Sequence, residues 1–258
     1  MSLIDPLAQV HSGAVIGKDV RVDAYAIIED GVNIGDETHV RSHAVVARGT
    51  TIGKKCKIYS GAIIGTEPQD LKFANEETFV TIGDETTIRE YATVNRATTQ
   101  SYYTKIGNNC LIMAYVHVAH DCHIGNNVII ANSVNMAGHV TIEDNVGIGG
   151  MTPIHQFVRI GAYSFIGGGL RVPKDVPPFI LAMGEPLKFG GLNLVGLRRK
   201  GFTREQLSDL KKAYKMLYRE NLTVEEAIVK INNEFRNNDV INQLLNFLRG
   251  SERGVIRG

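Results

Sequence analysis

An apolar residue returns at every sixth position through nearly two thirds of this 258-residue chain. Reading every sixth residue from Val10 to Val172 gives 28 positions, of which 25 hold Ile, Val or Met. An α-helix repeats every 3.6 residues and a plain strand every two, so neither produces this pattern. Three hexapeptides, each a short strand and a corner, can instead form one 18-residue coil. Equivalent residues of successive coils then stack about 4.8 Å apart. The repeat therefore predicts a mainly β solenoid around a core of stacked aliphatic side chains.

Two insertions interrupt the repeat without changing its phase. The three positions that are not apolar are Asp70, Glu76 and Gln100, and the chain carries 12 and then six surplus residues around them. Because both surpluses are multiples of six, the solenoid resumes in register after each one. We therefore predict loops near 66–79 and 97–104, both leaving the solenoid from the same edge.

The period ends at Val172, and the rest of the chain has a helical pattern. The segment "VPKDVPPF" is a proline-rich boundary, and a connector containing "GGLNLVGLRRKGF" follows. Thr203 and Thr223 are predicted N-caps, because each precedes apolar residues at helical spacing, and "DVINQLLNFLRG" is a third predicted helix. We predict a solenoid over 1–190 and a small C-terminal α-helical domain over 191–258.

Composition and charge exclude several classes of protein. A net charge of only +1 argues against a dedicated nucleic-acid binder. No apolar run approaches the roughly 18 residues of a membrane span, and the N-terminus "MSLIDPLAQ" lacks a signal-peptide pattern, so we expect a cytoplasmic protein. The charge is nevertheless uneven. Residues 198–258 hold 13 Lys and Arg against 8 Asp and Glu, an excess of +5, whereas the remainder balances at −4.

The three cysteines match neither a disulfide framework nor a zinc motif. Cys56, Cys110 and Cys122 are odd in number and sparse, and each lies four residues after an apolar repeat position. We expect them to be small residues packed inside the solenoid.

Three histidines lie three residues apart in "VHVAHDCHIGNN", residues 116–127, a spacing that suggests one face of a helix. In an 18-residue coil, however, His120 lies under Gly138, and Gly138 lies under Gln156. The two neighbouring columns are Asp121, His139, Phe157 and Ala119, Ala137, His155. Polar groups from three coils thus converge on the edge that the two loops also leave. The pattern predicts a lateral polar site, with His123 outside it on the surface.

The motifs at this edge resemble those of a known family. The segments "QDLK", "HVAHDC", "MAGHV", "GGMTPIHQF", "DVPP" and "GLRRKGF" are similar to those of the UDP-N-acetylglucosamine acyltransferases, which open lipid A biosynthesis. The resemblance covers nearly the whole chain. It implies a left-handed parallel β-helix, although left-handed crossovers break the usual rule, and a homotrimer with active sites in the clefts between subunits.

The resemblance also implies a reaction. An (R)-3-hydroxyacyl group moves from acyl carrier protein to the 3-hydroxyl of UDP-N-acetylglucosamine, and neither a cofactor nor a metal is expected. The match at "HVAHDC" implies His120 as the general base, a role that suits histidine near neutral pH. The match at "MAGHV" implies that the Gly138 N–H binds the oxyanion. Asp121 follows His120 directly, but adjacent side chains often diverge, so its orienting role is left open.

Further residues are implied to bind the substrates. Those expected to contact sugar, acyl or pantetheine groups are His117, His139, His155 and Gln156. Those expected to hold the sugar and phosphate side are Gln69, Asp70 and Lys72 of the first loop. Asn193 and Arg199 are expected to meet the nucleotide, and the charge of Arg199 suits a diphosphate.

The resemblance places Gly168 where the acyl groove closes, so a glycine there implies a preference for longer chains. The alternative is that this glycine merely makes a corner. Two residues depart from the family pattern. Val195 stands where many relatives have glutamate, which removes one nucleotide contact, and Ala97 stands where glycine is commoner, which leaves the path of the second loop open. Acyl chain length and the choice between glucosamine and a 3-amino sugar are not decided by the sequence.

Three other functions fit part of the pattern. The companion N-acyltransferase shares the solenoid but carries an N-terminal uridine-binding domain, for which the repeat beginning by Val10 leaves no room. A metalloenzyme of the γ-carbonic-anhydrase type binds zinc with three histidines, at spacings that do not match those found here. A purely structural solenoid would leave the polar edge and the basic helical domain without a purpose.

Overall fold

The stacked aliphatic residues form the core of a left-handed parallel β-helix in the structure, a computed structural model that describes residues 2–258. Every third strand along the chain joins the same sheet, so each coil contributes one strand to each of three sheets. One sheet has eleven strands and the other two have eight each within the described residues. The predicted mainly β solenoid is thereby confirmed.

The strands are short because the chain turns a corner after each one. In chain order they are β1 (Leu3–Ile4), β2 (Gln9–Val10), β3 (Val15–Ile16), β4 (Arg21–Val22), β5 (Ile27–Ile28), β6 (Asn33–Ile34), β7 (His39–Val40), β8 (Val45–Val46), β9 (Thr50–Ile52), β10 (Lys57–Ile58), β11 (Ile63–Thr66), β12 (Phe79–Ile82), β13 (Thr87–Ile88), β14 (Thr93–Asn95), β15 (Tyr103–Ile106), β16 (Leu111–Ile112), β17 (His117–Val118), β18 (His123–Ile124), β19 (Ile129–Ile130), β20 (Asn135–Met136), β21 (Thr141–Ile142), β22 (Gly147–Ile148), β23 (Pro153–Ile154), β24 (Arg159–Ile160), β25 (Phe165–Ile166), β26 (Ile180–Met183) and β27 (Lys188–Leu192). All pair in parallel except β27, which runs antiparallel to β26.

The pairing register shows how the two insertions are accommodated. Ile64 pairs with Val94, and Val94 pairs with Val118, so the partners are 30 and then 24 residues apart instead of 18. All three side chains are fully buried. The surplus residues therefore leave the solenoid as the two predicted loops, between β11 and β12 and between β14 and β15, without disturbing the aliphatic stack.

Each corner is a two-residue turn whose second residue usually has a left-handed backbone. Asp121, His139 and Phe157 have φ values of 59°, 63° and 62°, although non-glycine residues rarely adopt this region. The repeated hydrogen bonds between coils hold them there, for example from the His139 N–H to the His120 carbonyl at 3.1 Å. We call the column of corner pairs Arg96–Ala97, His120–Asp121, Gly138–His139 and Gln156–Phe157 the histidine edge.

The cysteines lie where the repeat predicted them. Cys56, Cys110 and Cys122 are all at most 2% exposed and pack in the core. Burial raises the pKa of the Cys56 thiol to about 11 and that of Cys122 to about 12. These thiols therefore remain protonated at neutral pH, and the expectation of inert packing residues is confirmed.

Four helices follow the last strand in the described chain: α1 (Leu194–Arg199), α2 (Arg204–Arg219), α3 (Val224–Glu234) and α4 (Asp239–Arg249). Thr203 and Thr223 cap α2 and α3, as predicted, and each forms a reciprocal capping box with the residue three positions on. Helix α1 lies within the connector and was not predicted from the sequence. No helix among residues 2–258 has the length and hydrophobicity to cross a bilayer.

Buried polar contacts join the helices to the last coil. The carboxylate of Asp175 is 1% exposed and accepts hydrogen bonds from the Arg159 N–H and the Ser251 hydroxyl. The buried Tyr214 of α2 donates its hydroxyl to the Pro178 carbonyl. The C-terminal segment then pairs beside the solenoid, where Ile256 is buried. These contacts fix the position of the basic helices relative to the histidine edge.

Candidate active site

The histidine edge and the two loops enclose a cavity of about 600 Å³. It is lined by Gln69, Asp70, Lys72, Phe73, Glu76, Thr98, Thr99, Gln100, His120, His139, Gln156 and Phe157. Both loops start from corners stacked below His120, one and two coils away, which is the arrangement that the repeat predicted. A single chain therefore brings its own loop residues to the histidines.

His120 and Asp121 are in direct contact at the centre of this edge. His120 Nδ1 lies 2.7 Å from Asp121 Oδ2, and the Asp121 side chain is almost fully buried. Adjacent residues point to opposite faces in a strand, but these two form a corner, and the left-handed φ of Asp121 turns its carboxylate back toward the imidazole. The contact that the sequence left open is thus present. A proton on Nδ1 leaves the Nε2 lone pair free as an acceptor.

The second loop surrounds the Asp121 carboxylate with donors. The Thr98 N–H and hydroxyl lie 3.1 and 2.8 Å from Oδ2, and the N–H and hydroxyl of Ser101 both donate to Oδ1. Burial raises the pKa of this carboxyl, but the hydrogen bonds from His120, Ser101 and Thr98 outweigh burial and hold the pKa well below its usual value. Asp121 is therefore a carboxylate at neutral pH.

Gly138 lies directly over the His120 ring, as the 18-residue period predicted. A Cβ atom at this position would lie 2.5 Å from His120 Cε1 and 2.7 Å from Nε2, so any side chain would collide with the imidazole. The glycine is required for space rather than for an unusual backbone angle, since its φ is not in the left-handed region. Its N–H makes no hydrogen bond within residues 2–258 and is free to bind an oxyanion.

His139 and Phe157 extend the edge beyond Gly138. Their rings stack at 4.5 Å between centroids, and the His139 ring meets that of His120 edge-on at 5.0 Å. Burial lowers the pKa of His139 below its usual value, although the charge of Asp121 opposes this effect. A neutral His139 presents one donor and one acceptor to a ligand in the cavity.

The remaining predicted histidines are near the cavity but outside its lining. His117 projects from the strand face beside the edge, where its Nδ1 lies 2.7 Å from the Thr93 hydroxyl. Burial, and then the proximity of His120, lower the pKa of His117. His155 is exposed, with its Nδ1 near the Gln156 carbonyl.

The residues expected to meet the nucleotide lie in the helical region of the same chain. Asn193 caps α1 through a hydrogen bond from the Gly196 N–H, and its own amide donates to the Tyr163 carbonyl. Arg199 and Val195 are exposed on α1. None of the three lines the cavity at His120, so this chain alone does not bring them to it.

Gly168 lies on a different edge from His120. Its corner stacks over that of Gly150, as predicted, because the Gly169 N–H donates to the Gly150 carbonyl. In the corners stacked below Gly168, the second residue is at several positions large, apolar and exposed. These residues are Tyr25, Tyr91, Tyr115 and Met151. We call this column the aromatic edge.

Sequence reasoning missed Thr98 and Ser101, the two residues that hold Asp121. The sequence did indicate that hydroxyl groups lie near His120, because the second loop begins one coil below it and is rich in Ser and Thr. The direction in which the loop folds was nevertheless not readable from its composition, since any of its four Ser or Thr hydroxyls could have served.

A metal ion is the other species that this cluster could hold. One ligand atom from each of His120, Asp121 and His139 lies within 4.8 Å of the others. His120 Nδ1 and Asp121 Oδ2 are 2.7 Å apart, however, closer than the roughly 3.3 Å between ligands of tetrahedral zinc. The carboxylate also already accepts hydrogen bonds from four donors of the second loop. The geometry fits a shared proton better than a metal.

Comparison with known proteins points to one family. The family described as Udp N-acetylglucosamine O-acyltransferase, Domain 2, matches residues 175–256, and the bacterial transferase hexapeptide family matches residues 13–48 and 103–138. Acyl-[acyl-carrier-protein]–UDP-N-acetylglucosamine O-acyltransferases from Fusobacterium nucleatum and Thiobacillus denitrificans are 53% and 45% identical over 154 residues. These alignments cover 60% of this chain and 60% of each relative's own length.

Solved structures match over the whole chain. A UDP-N-acetylglucosamine acyltransferase from Bacteroides fragilis is 42% identical with a TM-score of 0.96, over 99% of this chain and 100% of that one. The enzyme of the same name from Campylobacter jejuni is 38% identical with a TM-score of 0.93, over 99% of each chain. The similarity therefore includes both the β-helix and the C-terminal helices.

The collision between a residue-138 side chain and His120 can be measured as a coupling energy. We expect Gly138→Ala to destabilise the protein by about 1–3 kcal/mol, the usual cost of an added methyl in a packed site. In a His120→Ala background the space is vacant, so the same change should cost close to nothing. Denaturant unfolding of the four proteins gives both values. An equal cost in the two backgrounds would show that Gly138 is required for another reason.

Proposed function

The chain belongs to the UDP-N-acetylglucosamine O-acyltransferase family, and from this premise we propose that it transfers an (R)-3-hydroxyacyl group from acyl carrier protein to the 3-hydroxyl of UDP-N-acetylglucosamine, the first step of lipid A biosynthesis. The observation that carries the proposal is the His120–Asp121 pair beneath the free Gly138 N–H. The active protein is a cytoplasmic homotrimer that uses no cofactor and no metal.

His120 acts as the general base. Its Nε2 accepts the proton of the sugar 3-hydroxyl as that oxygen attacks the thioester carbonyl. Asp121, held as a carboxylate, stabilises the imidazolium that forms and keeps the ring oriented. The new C–O bond gives a tetrahedral oxyanion, to which the Gly138 N–H donates. Collapse of this intermediate breaks the C–S bond, and the imidazolium returns its proton to the departing pantetheine thiolate.

The cavity supplies groups for both substrates. Gln69, Asp70 and Lys72 hold the sugar and phosphate side from the first loop, and His139 and Gln156 contact the groups nearest the reacting atoms. His117 and His155 contact the acyl or pantetheine portion along the neighbouring face. Burial lowers the pKa of His117, and a neutral imidazole binds hydroxyl and amide groups without adding charge.

A trimer brings the nucleotide-binding residues to the site. Asn193 and Arg199 reach the cavity of a neighbouring subunit, where Arg199 pairs with the diphosphate, and Val195 makes no polar contact there. The aromatic edge supports this assembly, since an exposed column of large apolar side chains is typical of a contact surface. Packing of this edge against a neighbour's histidine edge would form an apolar groove for the acyl chain.

The loss of His120 tests the reaction directly. We expect His120→Ala to keep the fold but to lose about 10² to 10⁴ in kcat, the usual share of a general base. The assay is acyl transfer from 3-hydroxyacyl carrier proteins to UDP-N-acetylglucosamine. His11→Ala, at an exposed histidine of the first coil, is the control and should retain full turnover. Near wild-type turnover of His120→Ala would remove this residue from the mechanism.

Acyl carrier protein docks on the basic helices. An apolar cavity of about 1150 Å³ lies beside α2, and its lining contains basic residues but no acidic ones. The basic residues are Arg198, Arg204, Lys211, Lys212, Lys215 and Arg219. Carrier proteins are acidic, and charge complementarity at an exposed rim mainly sets the association rate.

Charge reversal on α2 tests this docking surface. We expect a variant with Lys211, Lys212 and Lys215 all changed to Glu to raise the KM for acyl carrier protein severalfold at low salt, with little change in the KM for the nucleotide sugar. The control reverses Lys18, Lys54 and Lys55, which are exposed on the solenoid and give the same change in net charge. An unaltered carrier-protein KM, or an equal effect of the control, would place docking on another surface.

Gly168 sets the length of the acyl chain. It lies on the aromatic edge, where the corner above Gly150 carries no side chain and leaves the groove open, so longer chains are preferred. We expect Gly168→Met to shift the optimum to shorter chains by several carbons, since each excluded methylene costs about 0.8 kcal/mol. A panel of 3-hydroxyacyl carrier proteins gives the optimum, with Gly168→Ala as the small-residue control. A fall in activity at an unchanged optimum would show that this glycine only makes a corner.

A further inference from the structure

The second loop makes more hydrogen bonds to Asp121 than the rest of the chain does. Four donors from Thr98 and Ser101 reach the carboxylate, two from amides and two from hydroxyls. The only side chain besides these that bonds to it among the described residues is His120. The proposed mechanism uses Asp121 and His120 but assigns no task to Thr98 or Ser101.

The hydroxyl of Ser101 has two acceptors within reach but a single proton. Its Oγ lies closer to Asp121 Oδ1 than to the Tyr103 carbonyl, which is 3.0 Å away. A carboxylate is the stronger acceptor, so the hydroxyl donates to Asp121 while that group is ionised. Protonation of Asp121 would free the hydroxyl to turn to Tyr103. The loop conformation and the charge of Asp121 therefore support one another.

The second loop is also tied to the end of the first loop. The Phe79 N–H donates to the Tyr102 carbonyl at 3.0 Å, and the rings of Phe79 and Tyr103 stack at 5.2 Å between centroids. On the opposite side, His123 Nε2 lies 3.0 Å from the Tyr103 carbonyl. The loop is thus fixed at three points, in a conformation that places Thr98 and Ser101 on the carboxylate.

We propose that Thr98 and Ser101 are positioning residues for the reaction: through four donors to Asp121 they keep its carboxylate directed at His120 Nδ1, so the competence of the base depends on the second loop. This inference rests on the proposed function for its catalytic consequence. Its structural part, the state of the His120 ring, does not depend on which reaction the protein performs.

The direction of the pH effect follows from the groups that face Asp121. Those that titrate are His120 at 2.7 Å and His139 at 3.8 Å, and the second loop contributes only neutral donors. Removing neutral donors makes a carboxylate more basic, so both Asp121 and the imidazole bonded to it bind a proton at higher pH. The acid limb of the pH–rate profile should move toward higher pH.

The test variant is Thr98→Val with Ser101→Ala, which removes both hydroxyls but keeps the two amide donors and the loop length. We expect kcat to fall about tenfold to a hundredfold, as for lost hydrogen bonds to a charged group, with the acid limb of kcat/KM shifted to higher pH. Thr98→Ser with Ser101→Thr keeps both hydroxyls and should restore the wild-type profile. Ser12→Ala, at an exposed serine of the first coil, is the control and should leave both kcat and the pH profile unchanged.

A second readout separates this inference from the reaction itself. Nitrogen-15 NMR of the imidazoles in the substrate-free protein reports the His120 tautomer, with the signal assigned by its loss in His120→Gln. We expect one Nδ1-protonated form in the wild type and in the conservative double variant, and a mixture in the valine–alanine variant. If acyl transfer is absent in every protein but the NMR result holds, the proposed function fails and the positioning role stands.

Two results would overturn the inference. One is a valine–alanine variant with an unchanged His120 tautomer and an unchanged acid limb, even if its KM for the sugar rises, because the two residues would then only shape the loop. The other is failure of the conservative variant to restore the profile while its thermal unfolding matches the wild type.

Discussion

The stacking of one aliphatic side chain on another, coil after coil, holds this β-helix together. A single 18-residue coil has almost no interior of its own, and its Ile or Val is buried only because equivalent residues cover it above and below. The same stack also fixes which residues of neighbouring coils lie next to each other. Once Val118 lies over Val94, the corner that follows it must lie over the corner that follows Val94.

The corners convert this regular core into a site. Their second residues have left-handed backbone angles, and at Asp121 this turns the carboxylate toward its own neighbour rather than away from it. The insertions add loops at two successive corners of the same edge without a change of phase. A chemically irregular cavity is thereby built on a scaffold that remains regular beneath it.

The charges at the histidine edge depend on which buried groups receive hydrogen bonds and which do not. Asp121 is inaccessible but has neutral donors around it, so it stays ionised. His117 and His139 are partly buried, and burial lowers their pKa. The result is one fixed negative charge behind His120 and neutral histidines around it, an arrangement suited to stabilising an imidazolium at His120 alone.

Residue order is enough to predict the solenoid, the two loops and their common edge, the caps at Thr203 and Thr223, and the stacking of Gly138 on His120. All of these follow from a period of six or from local capping chemistry, and both are properties of residue order. Only the folded structure shows that Asp121 meets His120 and that Thr98 and Ser101 bond to Asp121. Loop paths and corner rotamers depend on which distant groups compete for the same hydrogen bonds, and no repeat in the chain encodes that outcome. The helix α1 was missed for a similar reason, since a six-residue segment has little helical propensity of its own and its cap at Asn193 depends on contacts with the last coils.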